Sequence, residues 1–154
     1  MDRTILLFCL LFAFPAARAT CAAPPEKYTP SEKARIAAAR TPDERVRIYD
    51  EVFERLGKRT REIFQEGEFD SLPDILTNLS DLLGESLADI EVNIKPYAKS
   101  QRLIRYEINL RQTIKDLRSR WLRIPEEQQG AFQNFLDQAE ATRQKFMDII
   151  FIQD

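Results

Sequence analysis

The sequence predicts an all-α fold, an up-down four-helix bundle with a short extra N-terminal helix. Apolar residues recur at steps of three, four or seven through four long segments, the spacing that buries one face of a helix. Short connections marked by proline or glycine separate those segments, as in bundles whose consecutive helices run back and forth. Composition agrees: charged residues make up 31% and hydrophobic residues 44% of the 154, with only four glycines. That balance suits helices better than the glycine-rich turns of β folds.

A segment of different character precedes the helices. Arg3 opens a weakly positive stretch, Ile5 to Phe14 is apolar, and Ala17-Arg18-Ala19 places small residues where a signal peptidase reads them. Residues 1–19 are therefore expected to be a signal peptide, with the mature chain starting at Thr20 and exported to the periplasm, cell envelope or extracellular space. The uncharged run from Thr4 to Ala17 falls short of the roughly 20 residues that span a bilayer, which favours cleavage over a retained anchor. Lipid attachment at Cys21 would want an aliphatic residue three positions earlier and a small one just before it, where Arg18 and Thr20 stand. Cys9 leaves with the signal, so Cys21 keeps no intramolecular partner in an oxidising compartment. Its surroundings, Cys21-Ala22-Ala23-Pro24-Pro25, read as the start of a flexible leader over residues 20–30 and supply no positive pocket to activate a thiol. Residues 31–152 are expected to form a single domain.

Ser31 to Ala39 has the composition of a short helix, expected to pack across one end of the bundle. Thr41-Pro42-Asp43-Glu44 then has the form of a capping box with proline at the first helical position. The second helix should run to about Glu66, burying Val46, Tyr49, Phe53, Leu56, Ile63 and Phe64, and end at Gly67. Asp70 or Ser71 can cap a third helix with Pro73 in its first turn. Its stripe is Leu72, Leu76, Leu79, Leu83, Leu87, Ile90 and Ile94. Pro96 then either turns the chain or kinks a single central helix of about 50 residues, near 75 Å long. The polar stretch Asn93 to Ser100 favours the turn. A fourth helix should extend to Ile124 with Leu103, Tyr106, Leu110, Ile114, Leu117 and Trp121 inward, stopping before Pro125. That proline opens the fifth helix, which buries Phe132, Phe135, Leu136, Ala139, Phe146, Ile149 and Ile150.

Charge divides sharply along the chain. Glu62 to Ile94 carries nine acids and no base, whereas Lys95 to Arg123 carries nine bases against Glu107 and Asp116 alone. An antiparallel turn at Pro96 would set these helices face to face and favour their pairing. At 100° per residue Arg111, Lys115 and Arg118 fall on one flank of the fourth helix's apolar stripe, and Lys99, Arg102 and Arg120 nearer the other. The bases form no single outward face. Ile94, Tyr97, Ile104 and Ile108 add a second apolar side to this region, which points to a central position or to a partner.

Two stretches, Glu66-Gly67-Glu68-Phe69-Asp70 and Gln101-Arg102-Leu103-Ile104-Arg105-Tyr106-Glu107-Ile108-Asn109-Leu110-Arg111, resemble segments of small, uncharacterised helical proteins exported by bacteria. The resemblance implies a helical fold and an envelope setting, and no activity. The first stretch is also similar to the helix-turn-helix corner of tetratricopeptide repeats, without that family's repeat elsewhere.

Functional classes narrow by exclusion. With no histidine in the chain, Ser-His-Asp and Cys-His catalysis, histidine-ligated metals and c-type haem attachment are all out of reach. Carboxylate chemistry with Glu107 or Glu140 as the acid would need a cleft bordered by shaped loops, for which the chain has little spare length. Glu107 is more simply an i,i+4 partner of Arg111. A net charge of −2 for the whole chain, and of −3 once Asp2, Arg3 and Arg18 are removed, gives nucleic acid no basic surface. The expectation is a non-enzymatic protein without cofactor or metal, acting on a protein partner or as a homodimer. Tyr106, Arg111, Lys115, Arg118 and Trp121 are the candidate partner-binding residues. The alternative is an envelope-binding protein that lays the basic helix 95–123 on anionic lipid in peripheral membrane contact.

Overall fold

A computed structural model describes residues 26–151. The expected signal peptide, its cleavage site, Cys21 and the first part of the leader lie outside the described residues. The described chain is all-helical, with five α-helices.

Helix α1, Pro30–Ala38, begins with a capping box in which Thr29 accepts from the Glu32 amide and Glu32 accepts from the Thr29 amide. Helix α2, Pro42–Glu66, repeats the device with Thr41 and Glu44. It ends at Gly67, whose left-handed φ of 74° lets its N–H reach the Ile63 carbonyl at 2.8 Å. After a single 3-10 turn comes α3, Leu72–Glu91, and the chain then breaks around Pro96 as a turn, through a second 3-10 turn at Lys95–Tyr97. Helix α4, Gln101–Ser119, starts where the Ser100 hydroxyl accepts from the Leu103 amide. It stops five residues before the expected Ile124. Pro125 holds Ile124 in extended geometry, so Trp121–Arg123 closes as a 3-10 turn instead of a last helical turn. Helix α5 is Glu126–Ile150.

Helix α2 packs on α3 and α4, and α5 packs on the same two. Arg45 meets Asp89, so α2 and α3 run antiparallel; Tyr106 against Phe146 and Arg118 against Glu140 show the same for α4 and α5. Asp43 with Ser100 and Phe53 with Tyr106 make α2 and α4 parallel. Phe69 with Gln128 and Ser80 with Gln138 make α3 and α5 parallel. Two antiparallel hairpins are thus laid side by side, and the acidic α3 stands diagonally across from the basic α4. This overturns the expected face-to-face pairing of those two helices. The nine residues from Val92 to Ser100 are enough chain to cross that diagonal.

Two further expectations shift. Helix α1 lies along α2, tied by Arg55 to Glu32 and by Arg35 to Glu51, instead of crossing an end. The packed region also starts earlier than residue 31, because Tyr28 is buried with its hydroxyl donating to Glu85 at 2.7 Å and Lys27 pairs with the same carboxylate. The apolar stripes of α2 and α5 are buried throughout, and those of α3 and α4 are buried except at Leu87, Ile94 and Trp121, which pack partly exposed against the core.

Candidate functional site: a cationic groove between two helices

Helix α4 turns its apolar stripe inward, which leaves cations along both of its flanks. On the flank facing α5, Arg111, Lys115 and Arg118 stand exposed. Together with Glu140 and Arg143 of α5 they surround a shallow hollow of about 280 Å³ whose floor is Ile114, 3% exposed. Three of the five predicted partner-binding residues meet at this one place.

The ion pairs beneath the groove are unequal in number. Arg143 donates to Glu140 at 2.6 Å and to Glu107 at 3.2 Å. Arg111 approaches Glu107 at 3.7 Å, and Arg118 approaches Glu140 at 3.6 Å. Three arginines therefore share two carboxylates, and the fourth cation of the groove, Lys115, makes no ion pair among the described residues. The hydrogen bond to Glu140 is the main cause that raises the Arg143 pKa. Glu107 is only 5% exposed. Its position under Arg143 and Arg111 makes it the buried counter-charge that holds the two helices' cations together.

The two aromatic candidates are placed differently. Tyr106 is 0% exposed, set between Phe53 at 5.7 Å and Phe146 at 5.2 Å with its hydroxyl 3.2 Å from that of Ser86. It is a core residue and offers a partner no surface, a correction to its reading as an anchor; burial pushes its phenol pKa well up. Trp121 is half-buried against Phe132, 5.9 Å between centroids. Sequence reasoning missed Arg143. The available signal was its i,i+3 spacing from Glu140 on the α5 flank that must face α4.

The opposite flank of α4 faces α2. There a larger open groove of about 620 Å³ runs over Gly57, between Arg55, Lys58 and Arg61 on α2 and Asn109 and Gln112 on α4. At its edge Asp50, buried, accepts from Asn109 at 2.6 Å and pairs with Arg105 at 3.4 Å. Burial raises the Asp50 pKa by more than the Asn109 hydrogen bond lowers it.

Among the described residues no group of three acidic or thiol side chains is arranged to hold a metal ion, and no helix is long and apolar enough to cross a membrane. No protein-family model, curated protein or solved structure matches the chain.

Proposed function

We propose that this is an exported, non-enzymatic four-helix bundle, with α1 as its extra helix, that binds an acidic segment of a protein partner in the α4–α5 groove. The observation that carries the reading is the charge imbalance there: four cations for two carboxylates, ringed around the apolar Ile114. An acidic segment with one apolar side chain matches such a surface in charge and in shape, which favours both fast encounter and a defined register. The alternative, the whole basic helix lying on anionic lipid, draws less support. A flat membrane needs the cations on one face, and Arg105 on the other flank is already occupied by Asp50 and Glu54.

The test uses the exported protein and a fluorescent peptide of alternating glutamate and leucine. Binding that weakens about tenfold in Lys115→Glu or Arg118→Glu, a change worth about 1.4 kcal/mol, supports the groove. Equal binding by the variants sinks it. Salt-sensitive sedimentation with anionic vesicles, unchanged by the two substitutions, would transfer the case to the lipid reading.

A further inference from the structure

Leu122 is 95% exposed, more than either of the other large apolar side chains that face solvent among the described residues, Val92 and Phe151. It is not on a loose tip. The preceding Trp121 rests on Phe132, and Arg120 lies over the Phe64 ring while pairing with Asp116 at 3.0 Å. The following Arg123 donates to the Phe64 carbonyl, and Ile124 is buried. Both neighbours are fixed into the fold, so the 3-10 turn holds the leucine out as a rigid knob.

The knob stands between Arg120 and the exposed Arg123, and a larger number of acids lies at the same end. Glu126 and Glu127 follow in the first turn of α5, and the hydrogen bond from Gln128 to the Phe69 carbonyl brings Glu68 and Asp70 to the same end. All four carboxylates are exposed and make no ion pair among the described residues. The molecule therefore carries an apolar knob beside carboxylates and, four residues before it, the edge of an apolar hollow ringed by cations. Each is the complement of the other.

We propose that a second copy of this chain is an occupant of the groove: Leu122 of each protomer seats over Ile114 of its partner, with Glu126 and Glu127 against Arg118 and Arg143. This rests on the groove's role as an acidic-segment site and names its partner. Knob and groove are neighbours on the same α4–α5 pair, so a two-fold arrangement satisfies both at once and closes as a dimer. Each contact is made twice. The knob loses its exposure, Glu126 and Glu127 meet the surplus cations, and neither knob nor groove is left to recruit a third copy.

Sedimentation of the exported protein over a range of concentrations tests this, with three variants and a folded-state check by circular dichroism. The protein is expected to form a dimer whose dissociation constant rises about tenfold between low and high salt. Leu122→Asp and Lys115→Glu should each be monomeric, and mixing the two should restore a heterodimer weaker than the wild-type dimer, because one of its two contacts, an intact knob in an intact groove, is kept. Leu122→Met, which keeps an apolar knob, should dimerise. A protein that stays monomeric at every concentration overturns the dimer, as does a dimer that neither substitution weakens or a mixture that fails to associate. If the wild-type protein is monomeric yet binds the acidic peptide, the dimer alone has failed; if it binds neither, the groove reading has failed with it.

Discussion

The two flanks of helix α4 are made from similar residues and put to opposite use. On the α2 side Arg105 faces Asp50 and Glu54, and Asn109 bridges the same two carboxylates at 2.6 and 3.0 Å. Around the open groove on this side Arg55, Lys58 and Arg61 stand against Glu51, Glu54 and Asp116, so that cation and anion are close to balance. On the α5 side two carboxylates stand among four cations, and a hollow lies over Ile114. A helix flank rich in arginine is thus not evidence of a binding surface until its counter-charges have been located. What distinguishes the two is the neighbour: α2 brings Asp50, Glu51 and Glu54 beside its own cations, while α5 brings Glu140 alone beside Arg143.

The residue that joins both flanks should show the largest effect. Tyr106 touches Phe53 of α2 and Phe146 of α5 from the centre of the core. Tyr106→Ala should lose about 3–5 kcal/mol of stability in urea unfolding, the range for emptying a fully buried aromatic site. Tyr106→Phe, which keeps the ring and removes only the hydrogen bond with Ser86, should lose about 0.5–1.5 kcal/mol. A small loss in the alanine variant would mean that the two seams are not coupled through this ring.

Next in size is Arg143, which separates structural from surplus charge within the groove itself. Arg143→Ala leaves the buried Glu107 with only the longer contact to Arg111 at 3.7 Å. Loss of about 1–3 kcal/mol is expected, the range for stranding a buried polar group. The variant should weaken binding of the acidic peptide as well, so that stability and binding fall together here.

Much of this arrangement was open to reading from residue order. The capping box at Thr41, the end of α2 at Gly67, the turn at Pro96 and the buried stripes all follow from local rules, because caps, backbone limits and periodicity act within a few residues. The flank shared by Arg111, Lys115 and Arg118 was legible for the same reason. The order of the helices was not. Opposite charge on consecutive helices pointed to α3 beside α4, but which helices become neighbours is decided by total apolar burial and by the reach of the connection. The chain from Val92 to Ser100 is long enough for the diagonal, and nothing in its residue order marks that path. Tyr106 fits the residue order both as part of the inward stripe and as an anchor, and only the first holds: a tyrosine on an apolar stripe reads alike as core or anchor until the partner of its hydroxyl, Ser86, is known.

Acid titration probes the α2 seam from another side. The folded-state pKa of Asp50 lies above its ordinary value, chiefly through burial, so its contribution to stability is fully present at low pH and is lost as pH rises through that folded value. Glu85 is the reverse. Burial pushes it up, but hydrogen bonds from Lys27 and Tyr28 outweigh that and hold it below its ordinary value. Its contribution is present at neutral pH and is lost as pH falls through the folded value. On acidification the wild-type protein should therefore gain stability relative to Asp50→Asn and lose it relative to Glu85→Gln, measured as melting temperature against pH. The same sign in both comparisons would contradict the placement of Asp50 in a desolvated seam.

The smallest stability effects make the sharpest test of the contrast between flanks. Arg105 is 61% exposed and its contacts to Asp50 and Glu54 are 3.4 and 3.7 Å. Arg105→Ala should lose only about 0.2–1 kcal/mol, since solvent screens such a pair. Lys115 has no ion pair among the described residues, so Lys115→Ala should fall within about 0.5 kcal/mol of the wild-type protein. In thermal unfolding the two variants are then nearly indistinguishable. In peptide binding they should diverge if the proposed groove is used, because Arg105 already pairs with Asp50 and Glu54 whereas Lys115 makes no ion pair among the described residues. Equal binding losses would mean that the whole basic helix acts as one field, and the difference between its flanks would then be structural alone.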